Sequence, residues 1–370
     1  MDFMGQNMTD RQQASSHRKQ LVQTSLSDSS RPPRFLISRM SAIGDTILTM
    51  PVACALRESF PDAFIAWVVE EKSSPVLMGH PAVDEVIVLR RKWFTSPKPL
   101  LKTRARLRQL KCDISIDCQG MTKSALAGYL SGAKDRIGYQ GKCARELSRF
   151  FTNIRVAPQQ SHLTDRSLEL LSPLGIDAPE VKWQFPIDQQ AQDWATTYRK
   201  TFSNQRVVVL NPGATWHSKR WLPERFGETA RYLGERYGAQ CVAVWGNQLD
   251  HQMANEIVNT SGGHASLAPA TDLQQLSALI SASDLFISND TGPLHMSVAV
   301  GTPTIGLYGS TRPGDSGPYG QVAMQKAYEA GNSRQRRNAS NQAISQISAA
   351  DVCEAIDGVF ADRKAIPMAA

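Results

Sequence analysis

Residues 285–309 read LFISNDTGPLHMSVAVGTPTIGLYG, and this stretch decides the fold. Leu285, Phe286 and Ile287 form an apolar run too short for a helix and bounded by polar residues, which reads as a buried strand. Residues 289–293, NDTGP, are dense in turn formers, and a helix over 294–300 follows with Pro293 suited to its first turn. Gly301 stops that helix, and residues 304–308 form a second apolar strand. Strand, turn, helix and strand make the building block of parallel α/β sheets, in which ligands sit outside the carboxyl ends of the strands. The turn at 290–292 lies at that end, on a helix N-terminus whose free N–H groups and positive dipole suit a phosphate. Gly292 lets the backbone approach a ligand closely. Asp290 and His295 flank the turn with hydrogen-bonding groups; the same two residues also fit a plain helix cap and an ordinary helix histidine.

The pattern continues upstream. Residues 34–38, RFLIS, read as a first strand, and a helix is expected over about 46–59 with Ile47, Met50, Ala53 and Leu56 on one face. Pro51 stands beyond the first turn of that helix and is expected to bend it. Asp45, at the helix start, fits either an N-cap or a carboxylate at the mouth of a cleft, available as a general base. Strands at 63–69 and 85–89, a basic helix, the strand CDISID at 112–117 and the helix-opening loop QGMTKS at 119–124 follow. RIGY at 136–139 and a helix from His162 to Leu174, stopped by Gly175, carry the alternation to about residue 180. Residues 178–190 show no period, carry Pro179 and Pro186, and read as a linker.

A helix over 191–202 opens the second half, followed by the strand RVVVL at 206–210 and the loop NPGATWHSKRW at 211–221. That loop brings two cations to the sheet's edge. Lys219 there can neutralise a diphosphate, the alternative being a surface lysine beside a packed tryptophan. Pro223 begins a helix with Phe226, Ala230, Leu233 and Tyr237 on one face. The strand CVAVWG at 241–246 ends in a lip holding Asn247, Gln248 and Asp250, and Asp272 caps a helix carrying Leu273, Leu276 and Ile280. Residues 321–346 are mostly polar. Ser348 then starts a last helix with Val352, Ile356, Val359 and Phe360 on one stripe, and Asp351 completes a capping box.

The whole chain bounds these readings. Its 370 residues suggest two domains, and 41% hydrophobic with 20% charged residues is ordinary globular composition. No apolar run approaches the roughly 18–20 residues of a membrane span. The polar residues 1–31 lack the apolar centre of a secretory signal and read as a disordered leader. A formal charge of +7 favours anionic partners, while no nucleic-acid module pattern is present. Six scattered cysteines show no metal or disulfide spacing, which fits a reducing cytoplasm. Neither 39–46 nor 211–215 carries the G-x-G-x-x-G spacing of a nicotinamide-dependent oxidoreductase.

Five segments, RMSAIGDTILTMPVACALRESFP, IDCQGMTKSALAG, RIGY, NPGATWHSKRWLPERF and SNDTGPLHMSVAVGTPTIGLYG, stand in this order over about residues 34–320. Together they resemble glycosyltransferase family 9, the ADP-heptose:lipopolysaccharide heptosyltransferases. The resemblance implies a GT-B fold, an α/β architecture of two Rossmann-like doubly wound domains facing across a cleft. The expected division is a leader at 1–31, an acceptor-binding domain at 32–185 and a nucleotide-sugar-binding domain at 186–325. A polar segment and final helix at 326–370 are expected to pack back on the first domain. By position, Asp45 matches the catalytic carboxylate and Lys219 the lysine near the donor phosphates. Thr215, Asp290, Thr291, Gly292 and His295 match donor-binding positions, and Gly246 lies at the loop where the family's ribose-binding acid falls. Here that lip reads Asn247-Gln248-Leu249-Asp250, so either Asp250 takes the acid's place or the nucleoside contact differs. The family's cysteine-containing segment near the C-terminus is replaced by an arginine-rich region at 331–340. The acceptor candidates on the first domain are Gln119, Lys123 and Arg136.

The chemistry implied is attack of an acceptor hydroxyl on the sugar's anomeric carbon as the nucleoside diphosphate leaves. Asp45 would take the proton, and Lys219 with the amides at 291–292 would meet the leaving charge. One carboxylate and direct displacement imply inversion, and no metal or other cofactor is required. The partners implied are ADP-heptose or another nucleotide sugar and an anionic lipid A-core-like glycolipid. They would be met in the cytoplasm, peripherally at the inner face of the membrane, with no role for nucleic acid. A non-catalytic nucleotide-sugar-binding protein is the rival reading; it would keep the second-domain motifs and lose Asp45.

Overall fold

The computed structural model describes residues 31–203 and 205–364. Of the leader expected at 1–31, all but Arg31 lies outside the described residues. The chain divides into two compact units, Met1–Pro186 and Ile187–Ala370.

In the first unit, β1 (Arg34–Ser38), β2 (Phe64–Glu70), β3 (Glu85–Leu89), β4 (Ile114–Asp117), β5 (Asp135–Tyr139) and β6 (Ile154–Val156) form one sheet. Its order is β3-β2-β1-β4-β5-β6 and every pairing is parallel. The crossovers carry α1 (Ile43–Ile47), α2 (Met50–Ser59), α3 (Pro97–Gln109) and α4 (Thr122–Ser131), and α5 (Leu163–Leu168) follows the last strand. A parallel sheet is covered on both faces, so its strands read as continuous apolar runs. Accordingly Phe35, Leu36 and Ile37 on β1 and 65–69 on β2 are fully buried, with Trp67 donating its indole N–H to the Arg39 carbonyl at 3.1 Å.

The second unit repeats the plan with β7 (Val207–Asn211), β8 (Gln240–Ala243), β9 (Ala265–Leu267), β10 (Leu285–Asn289), β11 (Thr304–Leu307) and β12 (Val322–Met324). The order is β12-β11-β10-β7-β8-β9, again all parallel. The helices of this unit are α6 (Gln189–Lys200), α7 (Pro223–Tyr237), α8 (Gln248–Thr260), α9 (Leu273–Ser281), α10 (Gly292–Ala299), α11 (Pro313–Ser316), α12 (Ser333–Asn338) and α13 (Ala349–Lys364). Counted within each unit, the two strand orders are the same. The order reverses between β1 and β4 in one and between β7 and β10 in the other, and such switch points are where open α/β sheets bind ligands.

The sequence reading named no element at β6, β9 or α8, and the structure departs from it at four further places. The helix expected over 46–59 is two helices, α1 and α2, with Pro51 in the first turn of α2. Proline has no N–H to return to residue 47, so the chain breaks at Leu48 and Thr49 and restarts where a missing N–H costs nothing. The helix expected from His162 to Leu174 is α only over Leu163–Leu168, and a tighter 3₁₀ turn carrying Pro173 finishes it. The polar stretch 321–346 contains the edge strand β12, too short to show a period.

The fourth departure is the last helix. Expected to pack back on the first domain, α13 instead buries its stripe in the second unit's core, where Val352 and Ile356 are fully buried and Phe360 nearly so. Phe360 meets Tyr237 of α7 edge-on at 4.9 Å, and the hydroxyls of Tyr232 and Tyr237 both donate to Asp357 at 2.6 Å. The run into the helix is fastened as well, because buried Trp221 donates its indole N–H to the Ile347 carbonyl at 2.8 Å. Ile356→Ala is therefore expected to destabilise the second unit by about 2–5 kcal/mol, read from its urea unfolding transition. A midpoint unmoved by the substitution would place the stripe outside that core.

Candidate active site

The first unit gathers its polar groups where β1 and β4 end. Asp45 lies in the first turn of α1, whose N-cap is Ala42 with no side-chain cap, so the carboxylate is not a helix cap. It forms an ion pair with the Arg39 guanidinium at 2.6 Å. The arginine side chain is 5% exposed and the aspartate 41%, so the cation is the fixed member and the acid faces outward. The guanidinium is held in turn by the Cys118 carbonyl at 2.7 Å.

Gln119 belongs to the same edge. Its side-chain amide oxygen accepts from Met40 N–H at 2.9 Å, and its backbone N–H donates to Asp117 at 3.1 Å. Asp117 also accepts from Gly120 N–H at 3.0 Å. Burial pushes the Asp117 carboxyl up to about 6, against hydrogen bonds from Ser124, Gly120 and Gln119 and the charge of Arg39. Gly120 has φ +66°, and a Cβ there would stand 2.1 Å from the Cys143 carbonyl, so only glycine closes this loop.

Lys123, from the first turn of α4, donates to Glu70 at 2.5 Å and to the Ser41 hydroxyl at 3.1 Å. Its charge is already partnered, so it presents a hydrogen-bonding pair rather than a lone cation. Arg136 is not part of this cluster. It stands near the amino end of β5, at the opposite edge of the sheet, and its guanidinium donates to the carbonyls of Phe151 and Ala133 at 2.8 and 2.9 Å. It braces the β5–β6 turn. The sequence reading named Arg136 among the acceptor candidates without knowing which end of the strand it occupied.

The second unit builds its cluster where β7 and β10 end. The Lys219 ammonium lies 2.5 Å from an Asp290 oxygen, which also accepts from the Thr311 hydroxyl at 2.5 Å. His295 Nε2 is 3.7 Å from the other Asp290 oxygen. Asp290 is 6% exposed and Lys219 16%, so neither is the helix cap or the surface lysine that the sequence also allowed. Burial alone pushes the Asp290 carboxyl up, but the charges of Lys219 and His295 and the hydrogen bonds from Lys219 and Thr311 outweigh it and hold it below the usual range. Asp290 thus fixes the position of the Lys219 ammonium.

Thr291 is the N-cap of α10 and makes no side-chain cap; Pro293 has no N–H and Leu294 N–H donates to the Thr291 carbonyl at 3.1 Å, so the first turn of this helix presents the Gly292 N–H to a ligand. The Thr291 hydroxyl accepts from Asn211 at 3.1 Å. The loop at 212–221 is laced to β10 by Asn289, which donates to the Pro212 carbonyl at 2.7 Å and accepts from Trp221 N–H at 3.1 Å. Thr215 and Gly246 are exposed at the same edge. Asp250, offered as a possible ribose acid, is 9% exposed and turned inward: Asn247 donates to it at 2.6 Å, and a Cβ on Gly213 would lie 2.8 Å from its carboxyl carbon. Burial pushes its carboxyl up, with the Gly246 N–H and the Arg220 charge opposing. Asn247 and Gln248 form the exposed lip.

Sequence reasoning missed Arg39, Thr311 and Arg337. Arg337, on α12, lies with its guanidinium 5.2 Å from the centre of the Trp216 ring, and the Lys219 ammonium is 4.7 Å from the same ring. The Ser218 hydroxyl donates to the Arg336 carbonyl at 2.6 Å, fastening the arginine-rich segment to the Lys219 loop. Only the density of arginine at 331–340 pointed there, since 118 residues separate Lys219 from Arg337. Among the described residues no group of three or more His, Cys, Asp or Glu side chains is placed to hold a metal.

Comparison with known proteins gives this geometry its context. The family model described as glycosyltransferase family 9 (heptosyltransferase) matches residues 100–344, more than half of the chain. Lipopolysaccharide heptosyltransferase 1 of Pseudomonas aeruginosa is 28% identical over 298 residues, 78% of this chain and 82% of that protein. The protein of the same description from Escherichia coli K12 is 28% identical over 301 residues, 79% of this chain and 92% of its own. Among solved structures, the family 9 glycosyl transferase of Veillonella parvula superposes with a TM-score of 0.75 at 24% identity, covering 90% of this chain and 98% of that one. E. coli heptosyltransferase WaaC with ADP superposes with a TM-score of 0.70 at 24% identity, covering 90% and 100%. The fold is therefore GT-B, and the chain is a glycosyltransferase that belongs to glycosyltransferase family 9.

Proposed function

We propose that this glycosyltransferase moves a heptose from an ADP-linked donor to a hydroxyl of a lipopolysaccharide-core acceptor, with inversion at the anomeric carbon. The sugar and the acceptor class follow the descriptions of the relatives. The observation that carries the chemistry is the Lys219–Asp290 pair beside the uncapped N-terminus of α10. A lysine held by a buried carboxylate, next to the Gly292 N–H at a helix start, is preorganised for a diphosphate.

In the proposed reaction the acceptor hydroxyl attacks the anomeric carbon, the bond from that carbon to the diphosphate oxygen breaks, and its electron pair leaves with the nucleoside diphosphate. Asp45 takes the hydroxyl proton, its orientation set by Arg39. Lys219 and the amides at 291 and 292 meet the charge as it develops, and Arg337 supplies a second cation beside Trp216. These groups suffice without a metal. Gln119 and Lys123 receive the acceptor. That acceptor is a membrane glycolipid, so the enzyme works at the cytoplasmic surface of the membrane; no helix among the described residues is long and apolar enough to cross one.

Asp45→Asn is isosteric and cannot accept the proton. It is expected to lower kcat by about a hundred- to ten-thousandfold while ADP affinity stays within about twofold; full turnover in this variant would remove Asp45 as the base. Lys219→Ala is expected to slow transfer by about a hundred- to a thousandfold and to weaken ADP binding. Because it strands Asp290 in the interior, a melting curve must accompany it, and an unchanged rate in a folded protein returns Lys219 to a structural role. In calorimetric titrations ADP should bind in preference to UDP and GDP, with the same affinity when EDTA is present. A preference for UDP or GDP would redirect the donor, and loss of binding in EDTA would overturn the metal-free mechanism.

A further inference from the structure

The first unit carries a surface that the transfer chemistry does not use. Between β5 and β6 the chain runs over the outside of α4, and there Leu147 is 56% and Phe150 65% exposed. Large apolar side chains this open, three residues apart on one 3₁₀ turn, are unusual on a water-facing surface. The frame around them is cationic. Across 141–157 the charged residues are Lys142, Arg145, Arg149 and Arg155 against the single acid Glu146. That carboxylate accepts the Thr122 N–H at 3.1 Å, at the start of α4. The Arg149 guanidinium lies 4.9 Å from the centre of the Phe150 ring, presenting charge and ring together.

Two further features extend the surface. On the other flank of α4, residues 97–111 hold six cations and no acid, and Leu101 is 59% exposed among them. Tyr129 of α4, 51% exposed, adds an aromatic ring beside the turn, 5.7 Å from the ring centre of Phe151. The apolar turn is also bound to the edge of the site. Arg145 N–H donates to the Gly120 carbonyl at 2.8 Å, its guanidinium to the Gln119 carbonyl at 3.0 Å, and Leu147 N–H to the Thr122 hydroxyl at 3.1 Å.

We infer that this face docks on an anionic phospholipid bilayer, with Leu147 and Phe150 entering the headgroup–acyl boundary and the surrounding cations meeting lipid phosphates. Charge complementarity selects this occupant, since a basic rim around exposed apolar side chains is the chemistry of an interfacial membrane anchor. The bonds from 145 and 147 to 119, 120 and 122 then hold the acceptor edge of the unit at the membrane surface. The inference rests on the glycolipid-acceptor reading only for its purpose; vesicle binding requires neither donor nor transfer, so the two fail separately.

The test is co-sedimentation of the full chain with large unilamellar vesicles of phosphatidylglycerol and phosphatidylethanolamine, against pure phosphatidylcholine, at low and high salt. The protein should bind the anionic vesicles selectively and release from them as salt rises. Leu147→Ser/Phe150→Ser should weaken partitioning about tenfold or more while kcat on a lipid-free acceptor fragment is retained. Arg149→Glu, a change at an exposed side chain, should weaken it by about tenfold; it decides the matter by the same threshold if the double variant does not fold. Equal binding to neutral vesicles, no binding to either, or undiminished binding by folded variants overturns the inference.

Discussion

A parallel sheet must be covered on both faces, and every crossover returns the chain to the same edge. That constraint organises both units. Strands buried on two sides have no room for polar groups along their length, so the chemistry of each unit collects where the strands end. In the first unit the loops after β1 and β4 bring Asp45, Arg39, Gln119 and Lys123 together. In the second the loops after β7, β10 and β11 bring Lys219, Asp290 and Thr311 together. Both gatherings stand at the point where strand order reverses, which leaves a crevice between adjacent crossovers.

The two clusters are electrostatic opposites. In one, the buried member of the pair is the cation Arg39 and the outward one the acid Asp45; in the other, the buried member is the acid Asp290 and the more exposed one the cation Lys219. A charge taken from water needs a partner and hydrogen bonds to offset its desolvation, and each buried member has both. The partner exposed in each case is then held in one orientation at little entropic cost. In the proposed reaction one unit offers the proton acceptor and the other the counter-charge for the leaving diphosphate, the two demands that glycosyl transfer makes.

Most of the longer elements were legible in the sequence, and so were the loops that carry Asp45, Lys219 and the turn at 290–292; the short strands β6, β9 and β12 and the helix α8 were not read. Apolar runs bounded by turn formers, Pro223 at a helix start, Asp272 and its capping box, and Ser348 with Asp351 all correspond to elements in the structure. Pro51 was seen but misread, because a proline that bends a helix and one that begins a new one look alike until the hydrogen bonds are traced. The stripe on α13 was also legible as a stripe; which unit it covers was not, and Tyr232, Tyr237 and Trp221 decide it from more than a hundred residues away.

The sequence by itself determined the α/β class, the division near residue 186 and the strand ends at which ligands could be met, because periodicity and turn chemistry are local properties of the chain. Only the tertiary structure decided which charged groups face one another. It set Lys219 on Asp290, Arg39 on Asp45 and Arg337 over the Trp216 ring, and it removed Arg136 to the far edge of its sheet. Pairings of this kind join residues on different crossovers. Their energies depend on burial and on distances of a few ångströms, and neither quantity exists until the sheets are wound.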